Sequence, residues 1–299
     1  MTTTIDAPAA AVHPAWRGTG IYSADELSLD AYHRDIVPGG SLSSSGARTL
    51  LDPGCPAQFK YEREHPQPTK REFEIGSAAH KLVLGEGPEL RLCDITDWRT
   101  KDAQAQATRA RAEGAIPLKR ADYEAVHGMA DALRRHPTAA ALFDPAGGKP
   151  EQSLYWIDPV TQVTCRARPD WLPNPGAGRL IIPDYKTTTK VDRKSISKAI
   201  RDWGYHCQAA WYLEGARRLG LADEHAVFVL VFQAKSPPFH VVVAQVDALD
   251  LRIGHAKNAV ARDIYRQCTE TGDWPAYGEG VEIIPQPEWD QKNDTEEYL

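Results

Sequence analysis

The residues of this chain best placed to do chemistry are Arg168-Pro169-Asp170 and, fourteen residues after that aspartate, Asp184-Tyr185-Lys186. Both aspartates lie in apolar, strand-like surroundings, residues 163–172 and 180–186, and residues 173–178 between them (Pro-Asn-Pro-Gly-Ala-Gly) read as a turn. A hairpin there would set two strands about 5 Å apart and gather both carboxylates in one place. Asp184 and Lys186 are two residues apart, so on a strand they share a face. Two carboxylates beside a lysine suit a hard divalent cation such as Mg²⁺, which takes oxygen ligands and keeps several waters. Alone, Asp-x-Lys is most often a solvated ion pair worth little. Here the carboxylate closes an apolar run and a second carboxylate precedes it.

Other candidates follow at helical spacing. Tyr205, Gln208 and Tyr212 have offsets of 0, 3 and 7 and share one helix face. Gln208 and Tyr212 can both hydrogen-bond, although by themselves the tyrosines also read as core aromatics. His80 follows Gly76-Ser77-Ala78-Ala79 and precedes Leu82-Val83-Leu84. A lone histidine on an apolar helix is usually structural, yet imidazole is also the commonest protein metal ligand. Residues 184–201 hold Lys186, Lys190, Arg193, Lys194, Lys198 and Arg201 against Asp184 and Asp192, a local charge of +4. That is a solvated helix face or, beside an acidic metal site, a track for a phosphate backbone.

The elements that must position these residues are legible in outline. Residues 1–15 are Thr/Ala/Pro-rich and read as disordered. Ser43-Ser44-Ser45 caps a short helix over 47–51, Pro56 opens another, 64–72 is a loop, and 73–84, 100–113 and 120–135 read as helices, the last two joined at Gly114. Strands are expected at 152–157, 162–172 and 179–186, and helices at 195–202 and 205–219. The apolar run at 226–233 reads as a strand buried on both faces. A strand at 239–246 and a helix at 248–271 follow. Helices first, then strands with crossover helices, give an α/β fold: a mixed central sheet flanked by helices, with a helical N-terminal part.

Composition excludes several classes. The chain has 299 residues, 42% of them apolar, enough for a sizeable core, and no apolar run reaches the length of a membrane span. No basic, then apolar N-terminal signal is read. The five cysteines, Cys55, Cys93, Cys165, Cys207 and Cys268, are scattered without a CxxC, which indicates neither a zinc ribbon nor a disulfide framework. A reducing cytoplasm fits such usage. The net charge of −6 argues weakly against non-specific nucleic-acid binding.

In order, His80, Asp170, Asp184-x-Lys186 and Gln208-x-x-x-Tyr212 resemble the PD-(D/E)XK nuclease superfamily in its RecB-like branch. The pattern is closer still to RecE (exonuclease VIII)-type phage and prophage exonucleases, on Gly20-Ile21-Tyr22, Leu42-Ser43-Ser44-Ser45, Pro56-Ala57-Gln58-Phe59-Lys60, Gly76-x-x-x-His80, Asp184-Tyr185-Lys186-Thr187-Thr188 and Tyr205-His206-x-Gln208. The resemblance covers about residues 18–285, which become one nuclease domain between a disordered tail (1–17) and an acidic tail (286–299). It implies Mg²⁺-dependent hydrolysis of DNA phosphodiesters, with Mn²⁺ as a substitute. His80, Asp170, Asp184 and the backbone carbonyl of Tyr185 would hold metal, and Lys186 would act on the attacking water. Gln208 and Tyr212 would meet the substrate strand; the helical offsets add Tyr205 to that face, and the +4 stretch puts Lys190, Lys194 and Lys198 on the strand's phosphates. The resemblance further implies 5′→3′ digestion of double-stranded DNA ends in a bacterial cytoplasm, a ring-shaped homo-oligomer and a RecT-like annealing partner. A RecB-like endonuclease or single-strand nuclease, and a catalytically idle DNA-binding module, are the alternatives. No membrane association and no iron–sulfur cluster are expected, because the cysteines lack the clustered C-terminal trio of one related class.

Overall fold

Short capped helices and brief strands alternate through the first half of the chain. The computed structural model describes residues 13–65, 74–176, 178–278 and 280–299. The first half runs β1 (Gly20–Tyr22), α1 (Leu29–His33), β2 (Leu42–Ser43), α2 (Ser44–Thr49), α3 (Pro56–Glu64), α4 (Glu74–Leu84), β3 (Leu90–Cys93), α5 (Lys101–Ala112), β4 (Ile116–Lys119), α6 (Arg120–Arg135) and α7 (Pro137–Leu142). The second half runs β5 (Gly148–Pro150), β6 (Ser153–Ile157), β7 (Thr164–Ala167), β8 (Trp171–Pro173), β9 (Ile181–Thr188), α8 (Arg193–Asp202), α9 (Tyr205–Arg218), β10 (Val227–Ala234), β11 (Val241–Gln245), α10 (Ala248–Thr271) and α11 (Glu288–Tyr298). Ser43, Thr100, Asp192 and Asp247 start their helices by accepting a backbone N–H from the first turn.

The sheet is mixed. β6 and β7 form an antiparallel hairpin with β1 on one edge and β2 parallel on the other, giving the order β1-β6-β7-β2. β10 pairs in parallel with β9 and antiparallel with β11. Parallel neighbours need a crossover, and α8 and α9 supply it. The continuous apolar run of β10 follows from burial on both faces: Phe228, Leu230 and Phe232 face the core beneath α9 and α10, and Val231 faces the core around α4 and α6.

Three expectations are corrected. The strand read over 162–172 is two strands, β7 and β8, broken at Arg168-Pro169-Asp170, so Asp170 sits in the break. No ladder joins β7 or β8 to β9, so the turn at 173–178 does not make the expected hairpin; β8 pairs with β5 instead. The physical reason lies on β9. Leu180 O and Thr188 O accept from Val227 and Lys235, so the even-numbered peptide groups of β9 face β10 and the odd-numbered ones face away. On that outward edge Pro183 has no N–H to give, and the Tyr185 N–H donates to the Asp170 side chain instead. Third, the helices read over 100–113 and 120–135 are not simply joined at Gly114; β4 lies between them and pairs with β3.

The acidic segment over 286–299 contains α11, which buries no residue. Residues 1–12 of the tail read as disordered, and 66–73, most of the loop at 64–72 with Phe73, lie outside the described residues. No helix among the described residues is long and apolar enough to cross a membrane.

Candidate active site

Strand β9 carries the centre of the site. Because side chains alternate, Ile182, Asp184 and Lys186 project toward α9, and Tyr185 projects toward α4 and α6. Asp184 is fully buried. Its Oδ1 accepts from Gln208 Nε2 at 2.9 Å, and its Oδ2 lies 2.5 Å from Lys186 Nζ. A carboxylate oxygen has two lone pairs, so one beside Lys186 can still serve as a ligand for a cation.

Helix α9 organises the other wall. Trp211 Nε1 donates to Arg166 O at 2.9 Å and the Tyr212 hydroxyl donates to Arg168 O at 3.2 Å, fixing the backbone that leads into Asp170. Asp170 Oδ2 then accepts from the Tyr185 N–H at 2.7 Å and lies 2.9 Å from His80 Nε2. The peptide edge of Tyr185, carbonyl included, faces this side of β9, because it faces away from β10. Helix α4 packs on α6 and β9 and delivers His80 from the opposite side.

Glu151 completes the cluster. It follows β5 with φ +53°, a left-handed conformation that a non-glycine residue holds only under constraint. Arg168 supplies the constraint: its Nε donates to Glu151 Oε2 at 2.7 Å, and its Nη1 donates to Ser153 Oγ and Leu27 O. Glu151 Oε1 is left 3.8 Å from His80 Nδ1. One ligand atom each from His80, Glu151 and Asp170 lie within 4.8 Å of one another.

The charges are unevenly compensated. Burial and the neighbouring Asp170 push Asp184 up to about 6. Burial also works against a charged Asp170, but His80, Lys186 and the Tyr185 N–H outweigh it and hold it below its ordinary value. Burial and Asp170 raise Glu151 despite Arg168. Burial opposes the charge on Lys186, yet Asp184 and Asp170 raise it well above an ordinary lysine. Three carboxylates, Asp184 fully buried and Asp170 and Glu151 half-buried, crowd one corner, and Asp184 and Glu151 resist ionising beside Asp170, which is the condition a divalent cation relieves. The donor set, carboxylates with one imidazole and a peptide oxygen, fits Mg²⁺ or Mn²⁺.

A cleft of about 450 Å³ opens from Asp170 and Glu151 past Gln208, Tyr205, Trp203 and Arg48 to Ser43–Ser45 and His33. Of the residues singled out in the sequence, His80, Asp170, Asp184, Tyr185, Lys186 and Gln208 come together. Tyr205 lines the cleft, with Lys186 Nζ 4.9 Å from its ring centre. Tyr212 also lines it, but its hydroxyl is committed to Arg168 O. Lys190, Lys194 and Lys198 are exposed and are not among the residues lining the cleft, and Lys198 is paired with Asp202. Arg48, Arg166 and Arg168 line it instead. Glu151 and Arg48 were missed. The sequence signal for Glu151 is faint: an acid just before the 152–157 strand, beside a basic residue, Arg168, on the next.

A family model described as a PDDEXK-like domain of unknown function (DUF3799) matches residues 43–287. No curated protein matches the chain. The crystal structure of a proposed exonuclease from Eubacterium rectale superposes with a TM-score of 0.57 at 12% identity, over 92% of this chain and 98% of that one. At that identity the likeness carries the fold. The crystal structure of SSO0001 aligns at 16% identity over 67% of this chain and 93% of that one, with a TM-score of 0.28, too low to add to it.

Proposed function

Since the chain belongs to the family of PDDEXK-like domains of unknown function (DUF3799), we propose that it is a divalent-metal-dependent deoxyribonuclease. On this reading it degrades linear double-stranded DNA from its ends. The observation that carries the reading is the convergence of Asp170, Asp184 and Lys186 on one edge of β9, with a fully buried Asp184 carboxylate held between Gln208 and Lys186. Asp170, Asp184, His80, Glu151 and the Tyr185 carbonyl are the residues to hold the cation. Bound Mg²⁺ supplies polarisation of a phosphoryl oxygen and an acidified water. Lys186, kept protonated by its two aspartates, stabilises negative charge as it develops on the phosphate. Gln208 locks the Asp184 carboxylate in one orientation from the floor of the cleft.

Arg48 stands exposed in that cleft beside Trp203 and Tyr205, a cation and two aromatic faces suited to a single strand with its bases and phosphates. A strand that must enter a cleft singly is more easily fed from an end. The 5′→3′ polarity, a ring assembly and a RecT-like partner rest on the resemblance of motif order to RecE-type exonucleases. The test is digestion of one duplex in linear and covalently closed forms with Mg²⁺, against Asp184→Asn as control. Loss of the linear form alone supports the reading. Nicking of the closed circle makes the protein an endonuclease, and no cleavage of either form, with DNA still bound, makes it an idle binding module.

A further inference from the structure

Two exposed apolar surfaces of opposite charge lie on this chain outside the cleft. The first is the outer face of α10. Leu249, Ile253, Ala256 and Val260 are spaced by four, three and four residues, so they form one stripe along the helix. The three larger side chains are 54%, 42% and 53% exposed. Arg252 and Lys257 flank the stripe, both exposed and neither with an ion-pair partner among the described residues. Asp250 also borders the stripe, and Asp263 beyond Val260 is paired with Arg266, so the border keeps a net positive charge. Single exposed apolar residues are ordinary; a continuous stripe with such a border is not.

The second surface is the C-terminal arm. Its root is fixed: Trp274 stacks on Phe59 with ring centres 5.7 Å apart, Pro275 O accepts from Ala57 N, and the Tyr277 hydroxyl donates to Pro53 O at 2.6 Å. Beyond that root the chain leaves the body. Val281 and Ile283 are 101% and 97% exposed, Ile284 is 82% exposed and Trp289 65%. The same stretch carries Glu282, Glu288 and Asp290, and α11 buries nothing. Aliphatic side chains with that little cover gain free energy from almost any apolar contact.

We propose that the arm of one copy docks on the α10 stripe of a second copy. Val281, Ile283 and Ile284 would cover Leu249, Ile253 and Val260, while Glu282 and Glu288 would meet Arg252 and Lys257. Ala256 in mid-stripe leaves room for the arm backbone to approach. The contact joins two different surfaces, so it is heterologous; reciprocal exchange closes a dimer, and a successive one closes a ring where the rotation allows. Neither surface belongs to the cleft, so the inference stands whether or not the chain cuts DNA.

Sedimentation velocity on the full chain over a concentration series tests it. The wild type is expected to associate. Ile283→Asp/Ile284→Asp, at two exposed positions beyond the fixed root, is expected to raise the dissociation constant about a hundredfold. Arg252→Glu/Lys257→Glu is expected to dissociate alone, and so is Glu282→Lys/Glu288→Lys. Mixed, the two charge-reversed chains are expected to associate again, because each then offers a complementary arm and stripe. A monomeric wild type overturns the proposal, including the case in which the arm folds onto its own α10. So does an assembly that the Ile283/Ile284 variant leaves intact, or charge-reversed chains that fail to recombine.

Discussion

Two buried charge clusters in this molecule use the same residue types to opposite ends. One joins α10 to α9 and to the β6–β7 hairpin: Arg262 lies 2.8 Å from Glu214 and 3.4 Å from Asp158, and Asp158 Oδ2 accepts two hydrogen bonds from Thr161. The other is the cluster of Asp184, Asp170, Glu151 and His80. In the first, burial pulls Asp158 up, but the Thr161 donors and Arg262 outweigh it and hold the carboxylate low. In the second, burial and Asp170 win, and Asp184 rises to about 6. A cluster that only holds a fold neutralises its carboxylates from within. A cluster in which burial and a neighbouring carboxylate keep Asp184 from ionising is completed by a cation from outside.

The sharpest way to break that comparison is to neutralise one aspartate of each cluster. Asp184→Asn should lower cleavage by about a thousandfold or more, and should abolish the rise in Tm that Ca²⁺ or Mn²⁺ gives the wild type. Asp158→Asn should leave turnover per folded molecule near wild type. It should lower stability by about 3 kcal/mol, because Arg262 stays buried with half its partners. Denaturant melts with and without metal read both effects. Reversed outcomes, with Asp158 controlling the metal response, would show the two clusters misassigned.

Glu151→Gln sharpens it further. Glutamine keeps the shape and an acceptor for Arg168 Nε but loses the charge. Metal affinity should fall about 10–100-fold, with turnover recovered at raised metal concentration. Unchanged affinity in a calorimetric titration would reduce Glu151 to a partner for Arg168.

The two clusters also titrate in opposite directions. Asp184 has a raised pKa, so the metal-free native state holds its proton more tightly than the unfolded chain. Its contribution to stability is therefore present at low pH and lost as pH rises through about 6. Asp158, held low, contributes stability at neutral pH that is lost in acid. The cation needs Asp184 ionised and His80 neutral, and Asp170 and Glu151 raise His80 against the effect of its burial. Metal affinity should thus fall steeply as pH drops through about 6. Tm against pH, with and without Ca²⁺, should converge on the acid side, and in Asp184→Asn the two curves should coincide throughout.

Period-two spacing was enough to place Asp184 and Lys186 on one face, because alternation on a strand is local geometry. The helical offsets put Gln208 on the face of α9 that meets Asp184 for the same reason. The way Asp170 arrives was not legible. A hairpin was expected, but Pro183 deprives that edge of β9 of an N–H and the Asp170 carboxylate takes the bond a strand would have made. Glu151 was not legible either, since a left-handed turn and an arginine seventeen residues away fix it. Tyr212 was read as a substrate contact, yet its hydroxyl holds the backbone ahead of Asp170. Such long-range hydrogen bonds leave no periodic trace.

The smallest expected effect concerns where DNA lies. Sequence alone favoured Lys190, Lys194 and Lys198 as the phosphate track; the cleft instead exposes Arg48, whose Nη1 donates to Trp203 O and which has no carboxylate partner among the described residues. Each neutralised phosphate adds about 0.9 to the log–log slope of affinity against salt on duplex DNA. Lys198 is already paired with Asp202 and should add little. Arg48→Ala should therefore flatten the slope by about 0.9 and also lower turnover, because it displaces the strand beside the cluster. Lys190→Ala/Lys194→Ala should flatten it by at most about 1.8 while leaving turnover and sequence preference alone, since phosphate contacts position without specifying. Binding of linear duplex in Ca²⁺ across a salt series measures the slopes, and single-turnover cleavage in Mg²⁺ measures the rest. If the lysine pair governs turnover and Arg48 neither slope nor rate, DNA follows the α8 face, and the cleft from Ser43–Ser45 to Trp203 is not its path.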